Sequence, residues 1–118
     1  MPRSPLVALT DILAAIDLAR EAALNMPFAE FEKDRIRRAA TERALLSISE
    51  AVRHLPDEII ARNSELRWQD MRGIGNRLRH EYWSIDNKIV WEVVQHGLDE
   101  LEVVVRRELA LAGRPADS

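Results

Sequence analysis

Apolar residues recur at spacings of three and four through almost the whole chain, and proline or glycine interrupts them at a few points only; strand-type alternation is nearly absent. That pattern allows helices packed on helices and little else. Ser4-Pro5 has the form of a helix start, with serine as N-cap and proline in the first turn. Behind it Leu6, Leu9, Leu13, Ile16, Ala19 and Ala23 form one stripe, and Asn25-Met26-Pro27 ends the helix, because proline disfavours helical geometry in the residue before it. A second, longer helix is predicted over residues 28–55, with Leu45, Ile48, Val52 and Leu55 on one side. Pro56-Asp57-Glu58 begins a short helix whose acids sit at the positive end of the dipole.

A further helix is predicted over residues 66–82, carrying Trp68, Met71, Ile74, Leu78 and Tyr82 along one side as a core face. Gly73 and Gly75 weaken it by ~1 kcal/mol each relative to alanine, and so call for close backbone approach or a bend. Asp86 caps the last helix, with Ile85 and Val90 at staple spacing. Val90, Val94, Leu98, Leu101, Val105 and Leu109 then run to Gly113 and Pro115, and Val93, Val103 and Val104 widen the apolar girth. A helix of that kind is central in the bundle or shared with a second subunit. The expected fold is all-α: a mostly antiparallel four-helix bundle with one additional short helix, in a single domain spanning residues 1–118 with a frayed tail at 114–118.

With 118 residues the chain can bury a core without staples. Having no cysteine, it lacks disulfides, thiolate metal sites and cysteine nucleophiles. No window has the ~18 apolar residues of a membrane span, so the expectation is a soluble, cytoplasmic protein. The formal net charge of −3 and pI near 5.6 argue against coating nucleic acid through bulk charge. A local basic patch is another matter.

Such a patch lies in Gly75-Asn76-Arg77-Leu78-Arg79-His80-Glu81-Tyr82. From Arg72 to His80 there are three arginines, an asparagine and a histidine, with no acid. A group that titrates near neutrality thus sits beside groups that hold phosphate. At 100° per residue, Asn76 lies about 40° from His80, Arg77 about 60° to the other side, and Arg72 and Arg79 roughly 80° and 100° away. Gly75 lies about 140° off, toward the apolar stripe. The competing readings are a solvated face for the arginines, with Glu81 as an ion-pair mate for Arg77, and core packing for Tyr82. His54 and His96 have no adjoining chemistry and read as structural. No histidine pair has ligand spacing, so neither metal nor cofactor is expected. Lys33, Arg35, Arg37, Arg38 and Arg43, interrupted by Asp34 and Glu42, read first as a mixed-charge face and second as an RNA-docking surface.

Trp68, Met71, Asn76-Arg77-Leu78-Arg79-His80-Glu81-Tyr82, Ile85-Asp86 and Val90-Trp91 together resemble the C-terminal half of HepT-type toxins of the HEPN superfamily. Arg43-Ala44-Leu45, Ile48-Ser49-Glu50-Ala51 and Leu55-Pro56 are similar to the same family's second helix, so the likeness covers most of the chain. The family pattern is Arg-x-x-x-x-His-x-Tyr; His80 and Tyr82 match it, Asn76 falls on the polar residue after the arginine, and the arginine position is Gly75. The resemblance implies a homodimeric, metal-independent endoribonuclease paired with a minimal nucleotidyltransferase antitoxin that adds AMP to the motif tyrosine, here Tyr82. It implies catalytic roles for His80 and Asn76; on the helical projection above, Arg77 and Arg72 are the best candidates to stand in for the missing guanidinium, with Arg77 read as catalytic and Arg72 and Arg79 on RNA phosphates. RNA brings its own nucleophile, the 2′-hydroxyl, so the protein needs a base, an acid and positive charge on the phosphorane. One histidine cannot be base and acid in the same step, whereas a dimer supplies two. The alternatives are a catalytically impaired relative that still binds its nucleotidyltransferase, and a plain helical adaptor.

Overall fold

The computed structural model describes residues 4–80 and 86–113, and among these every regular element is helical. The first helix, α1 (Pro5–Ala23), starts as expected: Ser4 Oγ accepts from the Leu6 amide at 3.2 Å, and Pro5 occupies the first position. Its end is satisfied from far along the chain. Asn25 takes the left-handed conformation (φ 63°) that asparagine tolerates. The Gln95 side chain donates to the Ala23 carbonyl at 2.7 Å and accepts from the Asn25 amide at 2.8 Å, while Arg37 donates to the carbonyls of Glu21 and Ala22 at 3.1 Å.

The expected helix over 28–55 is two helices, α2 (Phe28–Lys33) and α3 (Arg35–Val52). Asp34 divides them because its side chain accepts from the Arg37 amide at 3.0 Å and so caps a new helix in the middle of the periodic run. The helix stops at Val52, although Leu55 still reaches the core. The short helix α4 (Asp57–Arg62) follows with its two acids in the first turn, and α5 (Trp68–His80) runs unbroken through both glycines. The expected last helix is also divided, into α6 (Asn87–His96) and α7 (Asp99–Ala112). At the break the Gly97 amide closes α6 on the Val93 carbonyl at 2.7 Å, and Asp99, Glu100 and Glu102 crowd the first turn of α7.

Taken pairwise, α2 with α3 and α6 with α7 restore the four-helix plan with α4 as the short addition. The central layer is α3, which packs against α1 on one side and α5 on the other, while α1 also meets α6 and α7. Leu9, Ile12, Ile16, Phe31, Val52, Val90, Val94, Leu101 and Val105 are almost completely withdrawn from solvent. The valine-rich girth of residues 90–105 is therefore largely consumed within the chain, leaving Val103 (61%) outside, with Ile89 (41%) exposed just before it. Trp91 pins α2 to α6: its ring meets Phe28 edge-on at 5.7 Å and its indole N–H donates to the Met26 carbonyl at 2.7 Å.

Candidate nuclease face on α5

The amphipathic character of α5 places one side on α3 and turns the other outward. Trp68 and Gly75 are buried, and Met71, Ile74 and Leu78 pack partly buried against the core. Asn76 and His80 are exposed and lie one turn apart, with His80 the last residue of the helix. Arg72 and Arg77 are half-buried on the flanks. Arg77, Arg79 and His80 all fall in the last turn, where positive charge is favoured by the helix dipole. Tyr82, together with Glu81 and Ile85, lies outside the described residues.

Gly75 has a specific reason to be glycine. A Cβ built there would stand 1.9 Å from Ser49 Oγ and 2.2 Å from Ser49 Cβ, so α5 and α3 are in backbone-to-side-chain contact at this point. Rotating the serine hydroxyl would relieve only the first of these overlaps. Any side chain at position 75 begins inside the α3–α5 seam, on the side of α5 away from His80. Gly73, by contrast, has open space where its Cβ would be, and nothing in the packing accounts for it.

Arg79 is placed differently from Asn76 and His80. It is 19% exposed, and its Nη1 donates to Glu50 Oε1 on α3 at 2.8 Å. Its Nη2 is buried without a hydrogen-bond partner among the described residues, as is Ser49 Oγ. A phosphate would have to displace Glu50 to reach this guanidinium. Glu50 had no local signal in the sequence, since it is 29 residues from Arg79 and only the packing of α3 on α5 brings the two together. Glu50 also lines, with Arg43, Ser47, Leu46, Asp11 and Leu18, an open groove of about 550 Å³ between α1 and α3.

Within the second basic cluster, Arg37 is committed to the end of α1 and to Asp34, and Arg38 donates to the Glu32 carbonyl. Lys33, Arg35 and Arg43 are exposed. The mixed-charge face is thus in part a set of helix-end contacts. His54 and His96 are both exposed. Among the described residues no three His, Asp or Glu side chains converge as metal ligands, and no helix is long and apolar enough to cross a membrane.

In this helical bundle Asn76 and His80 stand exposed at one end of α5, with Arg77 half-buried beside them. Residues 12–108 match the family model described as "Ribonuclease HepT-like", and the chain belongs to that family. Two relatives are named as candidate RNases. The one from Caldanaerobacter subterraneus subsp. tengcongensis is 32% identical over 107 residues, covering 91% of this chain and 96% of its own. The other, from Methanocaldococcus jannaschii, is 31% identical over 111 residues, covering 90% and 92%. The "Probable ribonuclease HepT" of Thermococcus cleftensis is 30% identical over 102 residues, covering 86% and 93%. No solved structure gives a significant match.

Proposed function

We propose that this chain is the ribonuclease toxin of a toxin–antitoxin pair, an endoribonuclease that cleaves RNA by 2′-hydroxyl attack without a metal ion. The observation that carries this reading is the outward presentation of His80 and Asn76 one turn apart at the end of α5. The imidazole moves the proton, and the Asn76 amide, able to donate and accept, orients the sugar or a phosphate oxygen. Arg77, about 4.5 Å below His80 along the helix axis, supplies charge to the phosphorane. Arg72 is ~12 Å below and serves a neighbouring phosphate. Arg79 reaches RNA only by leaving Glu50.

A homodimer that pairs two His80 side chains provides both acid and base. The partner is a minimal nucleotidyltransferase, acting in the cytoplasm, that adds AMP to Tyr82 and so places a bulky anion among the cationic groups. The test is expression of the chain alone and with such a partner. Growth arrest by the wild type, its loss in His80→Ala, and chelator-resistant cleavage leaving 2′,3′-cyclic phosphate ends support the reading. Strict Mg²⁺ dependence or 5′-phosphate ends reject it. AMP on Tyr82 is read by mass spectrometry after co-expression.

A second reading has its own observation. With Gly75 sealed against Ser49 and Arg79 tied to Glu50, two positions are withheld from phosphate binding. That arrangement favours a chain that dimerises and binds its nucleotidyltransferase while cleaving slowly or not at all. Binding of the partner without growth arrest by the unpartnered chain would select it.

A further inference from the structure

The geometry points to Glu50 as a positioning residue: through Arg79 it clasps the last turn of α5 to α3 and so fixes where His80 stands. This rests on the reading of His80 as the proton-transfer group. Of the residues of α5 only Trp68, at its start, and Gly75 are buried, and the two glycines lower the helix's intrinsic stability. Beyond Gly75, apolar contact with the core comes from the partly buried Leu78. A helix turn with little buried apolar surface is held more firmly by a specific tie to its neighbour.

The Glu50–Arg79 clasp is such a tie. The Glu50–Arg79 contact at 2.8 Å is a charge-assisted hydrogen bond on a guanidinium that is four-fifths covered. The Ser49–Gly75 approach one turn earlier sets the short spacing between the helices that lets Glu50, the next residue on α3, reach across. Among the described residues, removing Glu50 would leave a largely covered cation with no carboxylate partner and with Nη2 already unbonded, so the arginine would swing out to water and release the turn that carries His80. The imidazole would then be present but misplaced, and a displacement of about 1 Å at a reacting group can cost on the order of 10²-fold in rate.

The experiment compares Glu50→Gln, Glu50→Ala, Arg79→Ala and the Glu50→Ala/Arg79→Ala double variant for kcat and KM on RNA. It also follows the pH–rate profile and the hydrogen exchange of amides 76–80. The expected result is a kcat lowered on the order of 10–100-fold in Glu50→Ala and Arg79→Ala, with KM changed little. The double variant should be no worse than either single one, because both break the same clasp. The pH profile should keep its shape, and exchange at 76–80 should accelerate while the core stays protected.

Unchanged kcat in Glu50→Ala would overturn the inference. So would loss of the acidic limb of the profile in Glu50→Gln, which would make Glu50 a proton carrier, or an Arg79→Ala defect ten times that of Glu50→Ala, which would make Arg79 a phosphate ligand. If the wild type cleaves no RNA, the catalytic reading of His80 fails. The exchange measurement still tests the clasp in that case, and unaltered protection of 76–80 in Glu50→Ala would refute it.

Discussion

Where α4 meets α7, a fully covered carboxylate is held from every side. Where α3 meets α5, two covered polar atoms have no hydrogen-bond partner among the described residues. At the first seam Glu108, 2% exposed, accepts from Arg62 Nε at 3.1 Å, Arg62 Nη2 at 2.6 Å and Asn63 Nδ2 at 3.0 Å. Asn63, itself buried, donates also to the Ile59 carbonyl at 2.9 Å, accepts from Arg107 at 2.5 Å through its side chain, and accepts from the Trp68 indole at 3.0 Å through its carbonyl. At the second seam Arg79 has one carboxylate, and its Nη2 and Ser49 Oγ have no partner among the described residues. A satisfied buried network specifies a unique packing, whereas a partly satisfied one keeps strain where chemistry or movement uses it. The same helix, α5, is tied to the first seam by Trp68 and carries His80 at its other end. On the proposed role of His80, stability and function fall at opposite ends of one element.

The strongest way to break this division is His80→Ala. Cleavage should fall by ~10²–10⁴-fold with the melting temperature essentially unchanged, measured by RNA cleavage and thermal denaturation. A large loss of stability in this variant would show that the two ends are not separate. Glu108→Ala is the mirror experiment. It leaves Arg62 without its carboxylate acceptor and the Asn63 amide with the Ile59 carbonyl alone, and should destabilise by roughly 2–3 kcal/mol in urea unfolding, with cleavage per folded molecule retained.

Gly75→Ala sharpens the account of the second seam. Alanine gains up to ~1 kcal/mol in helix propensity. It also inserts a methyl group 2.2 Å from Ser49 Cβ, and overpacking typically costs ~1–3 kcal/mol. A net loss of about 1 kcal/mol is expected, together with reduced cleavage as α5 is pushed off α3. A more stable Gly75→Ala protein would mean that the helices separate without penalty.

Acid dependence gives a smaller effect. The side-chain hydrogen bond from Arg62 holds the Glu108 carboxyl below its ordinary value, and the one from Arg20 does the same for Glu102 on the α1–α7 side. Groups with lowered folded values contribute stability that is complete above the unfolded carboxyl range, near ~4.3, and that is lost as pH falls through the lower folded values. Unfolding free energy should therefore decline below pH ~4.5, and Glu108→Gln should decline less steeply over the same window. The smallest change is expected for Arg106→Ala. Its guanidinium is largely in solvent and pairs at 3.0 Å with a Glu102 carboxylate that Arg20 also holds, and chemical denaturation should register ~0.5 kcal/mol or less.

Much of this protein was legible from local chemistry. The start of α1 at Ser4-Pro5, the acids opening α4, the Asp86 cap, the core stripe of α5 and the outward turn of Asn76 and His80 follow from capping rules and from a period of 3.6 residues, which are properties of neighbouring residues. Periodicity was blind to the breaks at Asp34 and Gly97, because the apolar spacing continues across both while a side-chain cap and a glycine end the hydrogen-bonded run. Only the tertiary structure decided that Gly75 lies on Ser49, that Glu50 holds Arg79, and that Glu108 joins Arg62 to Asn63. Each of these contacts spans 26 to 46 residues. Partners so far apart are chosen by which helix faces meet when the core is buried, and no local preference of either residue carries that information.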